Sequence, residues 1–269
     1  MFPDRDIDGP PADYLERGGA VFARFDQQDS GNLSYGVEVG GERVFVKTAG
    51  RPDGPVPVLA HPERISLLHN AIRLARAYRH PALPRLRQVV ESPEGPMLVY
   101  DWADGELLSA PRERRGDPTS AYRRFRALPV EAILACLDTI VEVHDQMGRA
   151  GEVVGDFYDG CLIYDFASAR LSIVDLDSYR SGPYVNTMGR MFGSTRFMAP
   201  EEFTLGAPID QRTSVFTLGR TAFVFLGEDS DFRGPPGVRA VAGRACRERP
   251  EDRYPTIEAF CAAWRAARS

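Results

Sequence analysis

The hydrophobic periodicity of this chain changes near residue 101, and the change limits the folds open to it. Before that point apolar residues mostly alternate over short stretches, as at Tyr35, Val37 and Val39, which is typical of strands. After it they recur at helical spacing, as in residues 129–147. The sequence therefore predicts an α+β fold, with a small antiparallel sheet and one helix first and a mainly helical part second.

Turn residues and spacing divide both parts into elements. A Gly40-Gly41 turn is expected to join two strands in a hairpin, and the first helix should end before His80-Pro81. The expected elements of the first part are strands at 35–39, 44–47, 86–91 and 97–100, a loop at 50–57 and a helix at 62–79. Those of the second part are a helix at 129–147, strands at 161–164 and 171–174, and several helices after residue 200 with a break at 234–237.

Charge and composition exclude several classes of protein. The net charge is −5 with a pI of about 5.5, which does not favour binding to nucleic acid or to anionic membranes. No apolar run is long enough to cross a bilayer, the acidic start of the chain does not resemble a signal peptide, and the four cysteines have no metal-site spacing. We expect a cytoplasmic protein without a nucleic-acid or membrane partner. Six arginines at 112–126 are the local exception, and a solvated surface is favoured there over a docking site for acidic partners.

Only one of the 33 basic residues is a lysine, and this residue, Lys47, ends the strand-like run 44–47. An ammonium is a compact point charge that fits among phosphate oxygens, whereas the arginine fork spreads its charge over a plane. The position of Lys47 therefore indicates a phosphate-handling site.

Two aspartates stand beside the short strands of the second part. Asp156 precedes the strand at 161–164 and Asp175 follows the strand at 171–174. Because a hairpin returns the chain to its start, both carboxylates are expected on the same rim, where they could face one ligand.

The strand lysine, the helix that ends at His80-Pro81, Asp156 and Asp175 follow one another in an order that resembles the protein-kinase-like superfamily. Residues 193–201, 212–219 and 249–254 are also similar to three successive C-terminal motifs of serine/threonine protein kinases. The resemblance covers about residues 28–265. It implies a two-lobed fold with an N-terminal extension at 1–27, an N-lobe at 28–101, a hinge at 102–104 and a C-lobe at 105–269.

The resemblance also implies roles for individual residues. Lys47 would bind the α- and β-phosphates of ATP, Asp156 would accept or orient the attacking hydroxyl, and Asp175 would bind Mg²⁺ or Mn²⁺. Ser194 would join the catalytic residues, and Arg253 would pair with Glu201. The nucleotide would further be held by Gly31 and Gly36 in the phosphate-covering loop, by the main chain at Asp101 and Ala103, and by Ile163 beneath the purine.

Several positions depart from the family pattern. The loop has Leu33 in place of its second glycine, Ala71 replaces the glutamate that would face the lysine, and Phe45 stands where a small residue would contact adenine. Further replacements are Gly155, Tyr158 and Cys161 in the catalytic loop and Ser214 in the helix after it. Because Cys161 is a poor Mg²⁺ ligand, Asp177, two residues beyond Asp175 on a chain expected to be extended, could share the metal or could only cap a turn.

These features leave three functions open. The favoured one is an ATP-dependent phosphotransferase of the serine/threonine protein-kinase type, because of the C-terminal motifs. A small-molecule kinase of the aminoglycoside or choline phosphotransferase type is favoured by the loop 155–161 and by the Asp175-x-Asp177 pattern. A pseudokinase that acts as a binding or scaffolding module is favoured by Phe45, Tyr158 and Cys161. The expected partners are ATP and either a protein or a small hydroxyl substrate.

Overall fold

A computed structural model describes residues 1–26, 31–52 and 59–269, and of Asp229 the backbone alone. The chain has an α+β architecture and divides into two compact units, Met1–Asp104 and Gly105–Ser269. The first unit contains a five-stranded antiparallel sheet, and the second is mainly helical. This arrangement agrees with the two-lobed, kinase-like fold expected from the sequence.

The first unit is built around its sheet. Its elements are α1 (Pro11–Gly18), β1 (Ala20–Phe25), β2 (Leu33–Val39), β3 (Glu42–Thr48), α2 (His61–Ala77), β4 (Leu86–Val90) and β5 (Met97–Asp101). The strand order is β1-β2-β3-β5-β4, and every neighbouring pair is antiparallel. Gly40 and Gly41 turn the β2–β3 hairpin with φ of +59° and +79°, values that suit glycine in a two-residue turn. The predicted hairpin, helix and two later strands are confirmed.

Different parts of the chain pack on the two faces of the sheet. On one face, Val46 and Val99 pack with Phe2 and Leu15 from the start of the chain. On the other, Leu98 packs with the apolar residues of α2. The sequence analysis assigned no element to residues 1–27, yet they supply both α1 and the edge strand β1. The strand β1 was missed because its residues are exposed or half-buried without a regular alternation.

The second unit begins with a short strand, β6 (Glu106–Leu107), and a short helix, α3 (Ala121–Arg126). The predicted long helix is α4 (Val130–Arg149), whose buried stripe includes Ile133, Leu137, Ile140 and His144 as expected. The remaining elements are β7 (Glu152–Val153), β8 (Leu162–Asp165), β9 (Arg170–Ile173), β10 (Arg180–Ser181), β11 (Tyr184–Val185), β12 (Pro208–Ile209), α5 (Gln211–Leu226), α6 (Pro236–Ala245) and α7 (Ile257–Arg268). The break predicted at 234–237 coincides with the start of α6, where a proline occupies the first turn.

Within residues 1–26, 31–52 and 59–269, no helix combines the length and apolar character needed to cross a membrane.

Candidate active site

The hairpin of β8 and β9 brings the two predicted aspartates to one end of the strands. The thiol of Cys161 lies 3.4 Å from the carbonyl oxygen of Asp156 and 3.9 Å from that of Asp175. Val174 donates a main-chain hydrogen bond of 2.9 Å to the carbonyl of Cys161. Both aspartates therefore lie on the same rim, as predicted. The Cys161 thiol therefore links the main chains of the two aspartates.

Both aspartates have an unusual backbone conformation. The φ angles are +51° at Asp156 and +59° at Asp175, in the left-handed region that aspartate tolerates better than most residues. Such a conformation costs on the order of 1 kcal/mol and persists where the surroundings fix it. Beside Asp156, Gly155 packs closely on the neighbouring main chain, because a Cβ at this position would lie 2.4 Å from the carbonyl oxygen of Ser178. The close approach of the main chain at Ser178 thus leaves no room for a side chain at position 155.

A buried histidine joins α4 to the segments that follow both aspartates. The Nδ1 of His144 donates to the carbonyl of Ile140 at 2.7 Å, so its Nε2 accepts a 2.7 Å hydrogen bond from the hydroxyl of Tyr179. Phe157 packs its ring edge-on at 4.7 Å from the imidazole. Burial lowers the pKa of His144 to about 4, so the imidazole is neutral at pH 7. Sequence reasoning placed His144 on the buried stripe but missed Tyr179, because a buried imidazole needs a partner without revealing which residue supplies it.

The segment 193–201 lies beside Asp156. A Cβ built on Gly193 would be 3.5 Å from the Oδ1 of Asp156. Ser194 follows directly, and its carbonyl accepts a 2.8 Å hydrogen bond from the amide of Phe197. The guanidinium of Arg196 pairs with Asp159, which is 1% exposed. The predicted catalytic loop and this segment are therefore held together by an ion pair that the sequence analysis did not identify.

The far end of the same segment is anchored by a buried ion pair. Glu201 accepts hydrogen bonds of 2.7 and 2.9 Å from the guanidinium of Arg253, and both side chains are buried. Thr213 donates a further 2.7 Å hydrogen bond to Glu201. The predicted pairing of Glu201 with Arg253 is confirmed. Nearby, the hydroxyl of Ser214 accepts a 2.9 Å hydrogen bond from the amide of Val154, so it supports the backbone two residues before Asp156.

A further carboxylate in this region was not predicted. Glu202 is 5% exposed and accepts a 2.7 Å hydrogen bond from the amide of Ala199. Burial, with a smaller contribution from the charges of Glu201 and Asp156, raises the pKa of Glu202 to about 7. No sequence signal distinguished it, because it follows Glu201 directly and its burial depends on the tertiary fold.

The structure corrects one premise about Asp177. The strand β9 ends at Ile173, Asp175 is exposed with a left-handed backbone, and Asp177 is 8% exposed in a turn. The chain between them is not extended, so the argument that both side chains must point the same way is wrong. Joint metal binding by the two residues stays a prediction.

The donor set of the second unit suits only part of a Mg²⁺ coordination shell. Among the described residues, no group of three or more His, Cys, Asp or Glu side chains could hold a metal ion. Mg²⁺ is commonly held by one or two protein carboxylates with phosphate and water oxygens completing the shell. Asp175, with or without Asp177, fits that arrangement, whereas the Cys161 thiol, which faces main-chain carbonyls, does not.

Lys47 and Phe45 occupy neighbouring positions on one face of β3. Lys47 is 6% exposed and lies opposite Leu98 of β5, which places it on the sheet face that α2 covers. Phe45 is half-buried, and its ring centroid lies 5.9 Å from that of Phe25. The carboxylate of α2, Glu63, accepts a hydrogen bond from the helix start at Ala60. The one glutamate of α2 is therefore engaged at the start of the helix, and α2 offers no glutamate near Ala71.

The two predicted phosphate-loop glycines have different surroundings. Gly31 has φ of +83° and its carbonyl accepts a 2.9 Å hydrogen bond from Arg64 of α2. Gly36 lies within β2, where a Cβ would come 2.6 Å from the ring of Phe22 and 3.0 Å from that of Trp102. Ring packing accounts for Gly36 without a nucleotide. The predicted start of the N-lobe at residue 28 lies outside the described residues.

The positions predicted to hold adenine are also described. Asp101 ends β5 and forms ion pairs of 3.5 Å with Arg85 and Arg87. Ala103 is half-buried in the last residues of the first unit. Ile163, in the second unit, is half-buried in β8 opposite Leu107 and Ser172. Their contact with a nucleotide stays a prediction.

Comparison with known proteins gives a distant relative. No model of a known protein family matches the chain. The chain is 23% identical over 238 residues to the serine/threonine-protein kinase Pkn1 of Myxococcus xanthus, and the match covers 74% of this chain and 32% of that protein. The chain thus spans about a third of the length of this relative. The similarity supports a kinase-like relationship and, in general terms, a kinase-like phosphotransferase.

Proposed function

We propose that this protein is an ATP-dependent phosphotransferase of the serine/threonine protein-kinase type. The observation that carries the proposal is the placement of the segment 193–201 beside Asp156, with its end fixed by the buried pair of Glu201 and Arg253. A segment held in this way could support a polypeptide next to a catalytic aspartate. A small-molecule kinase of the aminoglycoside type would not be expected to have it.

The residues have separate roles in this proposal. Asp156 orients the acceptor hydroxyl and takes up its proton, and Ser194 lies in the segment beside it. Lys47 neutralises phosphate charge from a buried position in β3. Asp175, with or without Asp177, would hold Mg²⁺, which when bound would neutralise charge on the phosphates. Gly31, Asp101, Ala103 and Ile163 remain the proposed contacts of the nucleotide.

A direct assay tests the proposal. The protein would be incubated with γ-labelled ATP and either Mg²⁺ or Mn²⁺, with generic serine-containing proteins in one reaction and an aminoglycoside or choline in another. We expect label on protein serine or threonine, and a loss of about 10²–10⁴-fold in rate for Asp156→Asn. Asp231→Asn, which changes an exposed aspartate elsewhere in the second unit, is the matched control and should retain the activity. Transfer to the small alcohols alone would instead support the small-molecule kinase.

A pseudokinase is the second candidate, and two observations favour it. The rings of Phe22 and Trp102 pack against Gly36 where a phosphate loop would need open backbone, and Cys161 contacts main-chain carbonyls where a metal ligand is expected. A pseudokinase would transfer no phosphate with either metal. Calorimetric titration of ATP would then show whether the fold still binds the nucleotide.

A further inference from the structure

The second unit has a local excess of positive charge at residues 106–126. This stretch contains six arginines and three carboxylates, and two of the carboxylates are already paired. Glu106 pairs with Arg124 at 2.6 Å, and Asp117 pairs with Arg114 at 3.2 Å. Across the part of the chain that the structure describes, the other four arginines have no carboxylate at ion-pair distance. We call these four the arginine face: Arg112, Arg115, Arg123 and Arg126.

The four arginines differ in their exposure to solvent. Arg112 and Arg123 are exposed, and Arg115 and Arg126 are half-buried. Members of each sequential pair are three residues apart, a spacing that puts side chains on one side of a helical turn. Arg126 lies 5.6 Å from the ring centroid of Tyr122, and the Nε of Arg115 donates to a main-chain carbonyl at 3.2 Å. Because these two side chains are partly fixed, they lose less conformational entropy when they bind a partner.

The arginine face borders the candidate active site. The guanidinium of Arg196 lies 5.4 Å from the same Tyr122 ring that Arg126 contacts, and Arg196 pairs with Asp159 of the catalytic loop. The charge of Arg115 also acts on Asp159 and, with the larger effect of Arg196, opposes the rise that burial causes in the pKa of this carboxyl. Asp159 is three residues beyond Asp156. A polypeptide that presents a hydroxyl at Asp156 would therefore have its neighbouring residues close to the arginine face.

We propose that the arginine face binds an acidic stretch of a polypeptide, next to the serine or threonine that the protein modifies. Arginine forks bind carboxylates in a bidentate manner, and this positive region stands out on a chain whose net charge is −5. Such a field would also speed the encounter with an acidic partner. The identity of that polypeptide as a substrate rests on the proposed function, whereas its binding does not require phosphoryl transfer.

Peptide binding tests the surface independently of catalysis. The probe is a fluorescent peptide with one serine flanked by six glutamates, and the reference peptide has glutamines in their place. Binding to the full chain would be measured by anisotropy at low and high ionic strength. We expect the double variant Arg112→Glu and Arg123→Glu to lower the affinity for the acidic peptide by at least about tenfold. Both residues are exposed, so the fold should be retained, which the unfolding temperature would verify.

The control is a second double variant with the same change of charge. Arg239→Glu and Arg247→Glu alter two exposed arginines of the second unit outside the arginine face, and this variant should bind the acidic peptide as the parent protein does. Equal loss in both variants, or equal binding of the glutamine peptide, would overturn the proposal. The proposal would also be overturned if the parent protein bound an RNA oligonucleotide or anionic phosphatidylserine vesicles more tightly than the acidic peptide and the Arg112→Glu and Arg123→Glu variant lost that binding. The arginine face would then be assigned to that ligand.

Transfer assays separate this inference from the proposed function. Phosphorylation of the acidic peptide in preference to the glutamine peptide, reduced in the arginine-face variant, would support both. Binding through the arginine face without any phosphoryl transfer to any acceptor would leave the surface standing and refute the kinase activity. Equal phosphorylation of the two peptides would support the activity and refute the arginine face as a determinant of substrate choice.

Discussion

The two units differ in how they accommodate residues that depart from the kinase pattern. In the second unit three of the replacements have a structural partner: Gly155 packs on Ser178, Cys161 links two main-chain segments, and Ser214 supports Val154. In the first unit, the replacements put aromatic or small residues where the family has polar or open positions, as at Phe45 and Ala71. These three replacements of the second unit thus make specific contacts of their own, whereas those of the first unit alter positions for which the resemblance implies a role toward ATP or Lys47.

The largest expected effect tests whether the second unit depends on its buried ion pair. We expect Arg253→Ala to lower the free energy of unfolding by about 3–5 kcal/mol, because Glu201 would remain buried without its partner. The exposed pair of Arg249 and Glu251 provides the control, and Arg249→Ala should have little effect on the free energy of unfolding, because water screens an exposed ion pair. Chemical denaturation would measure both. Similar losses in the two variants would mean that the segment 193–201 is not anchored in the way described.

A pH dependence should arise from His144. Its pKa is about 4 in the folded chain and 6.5 when unperturbed, so the unfolded state binds more protons between these values. The free energy of unfolding should therefore be highest above pH 6.5 and fall as the pH drops toward 4, by about 3 kcal/mol in total from this group. Denaturation of the parent protein and of His144→Gln across this range would isolate the contribution. A His144 ring that titrates near 6.5 by NMR would contradict the expectation.

Two glycine variants compare the units directly. Gly155→Ala should lower the free energy of unfolding by about 1–3 kcal/mol, because the new methyl group would clash with the main chain at Ser178. Gly36→Ala should lower the free energy of unfolding by less, because the nearest atoms in its way belong to Phe22, a ring that is 46% exposed and can move. Gly243→Ala, in α6 with open space around it, should stabilise the protein by about 0.5–1 kcal/mol. If Gly155→Ala and Gly36→Ala lowered the free energy of unfolding equally, the surroundings of the two glycines would not differ in rigidity.

The smallest effect concerns Phe45, at a position for which the resemblance implies contact with adenine. Phe45→Ala should lower the dissociation constant for ATP several-fold if the ring narrows a purine slot, although the lost apolar contact works against the gain. Phe203→Ala, a change at an exposed ring of the second unit, should leave ATP binding unaltered. Calorimetric titration would measure each variant. A Phe45→Ala protein that is less stable and binds ATP no better would show that Phe45 belongs to the core alone.

Much of the fold could be predicted because it follows from local patterns. The β2–β3 hairpin depends on two adjacent glycines, and α2 and α4 on apolar spacing that one helix face must bury. The edge strand β1 could not be found in this way, because exposed residues such as Phe22 and Phe25 carry no alternation. These residues form a strand only because their main chain pairs with the neighbouring strand β2.

The candidate site was predicted in part for a similar reason. Asp156 and Asp175 flank a hairpin, and the return of the chain is enough to bring their backbones together. The ion pair of Asp159 with Arg196 and the hydrogen bond of His144 with Tyr179 join residues 37 and 35 positions apart, and no local spacing encodes them. The premise for Asp177 was wrong because a left-handed residue at Asp175 ends the extended chain.

The most direct test of the central claim measures ATP binding and phosphoryl transfer in the same three proteins. We predict that the parent protein binds ATP and transfers its phosphate, that Asp156→Asn keeps the ATP affinity and loses transfer by about 10²–10⁴-fold, and that Lys47→Arg loses both. The last result is expected because a planar fork cannot replace a buried point charge. Transfer by Asp156→Asn at the parent rate, or no binding of ATP by the parent protein, would contradict the account.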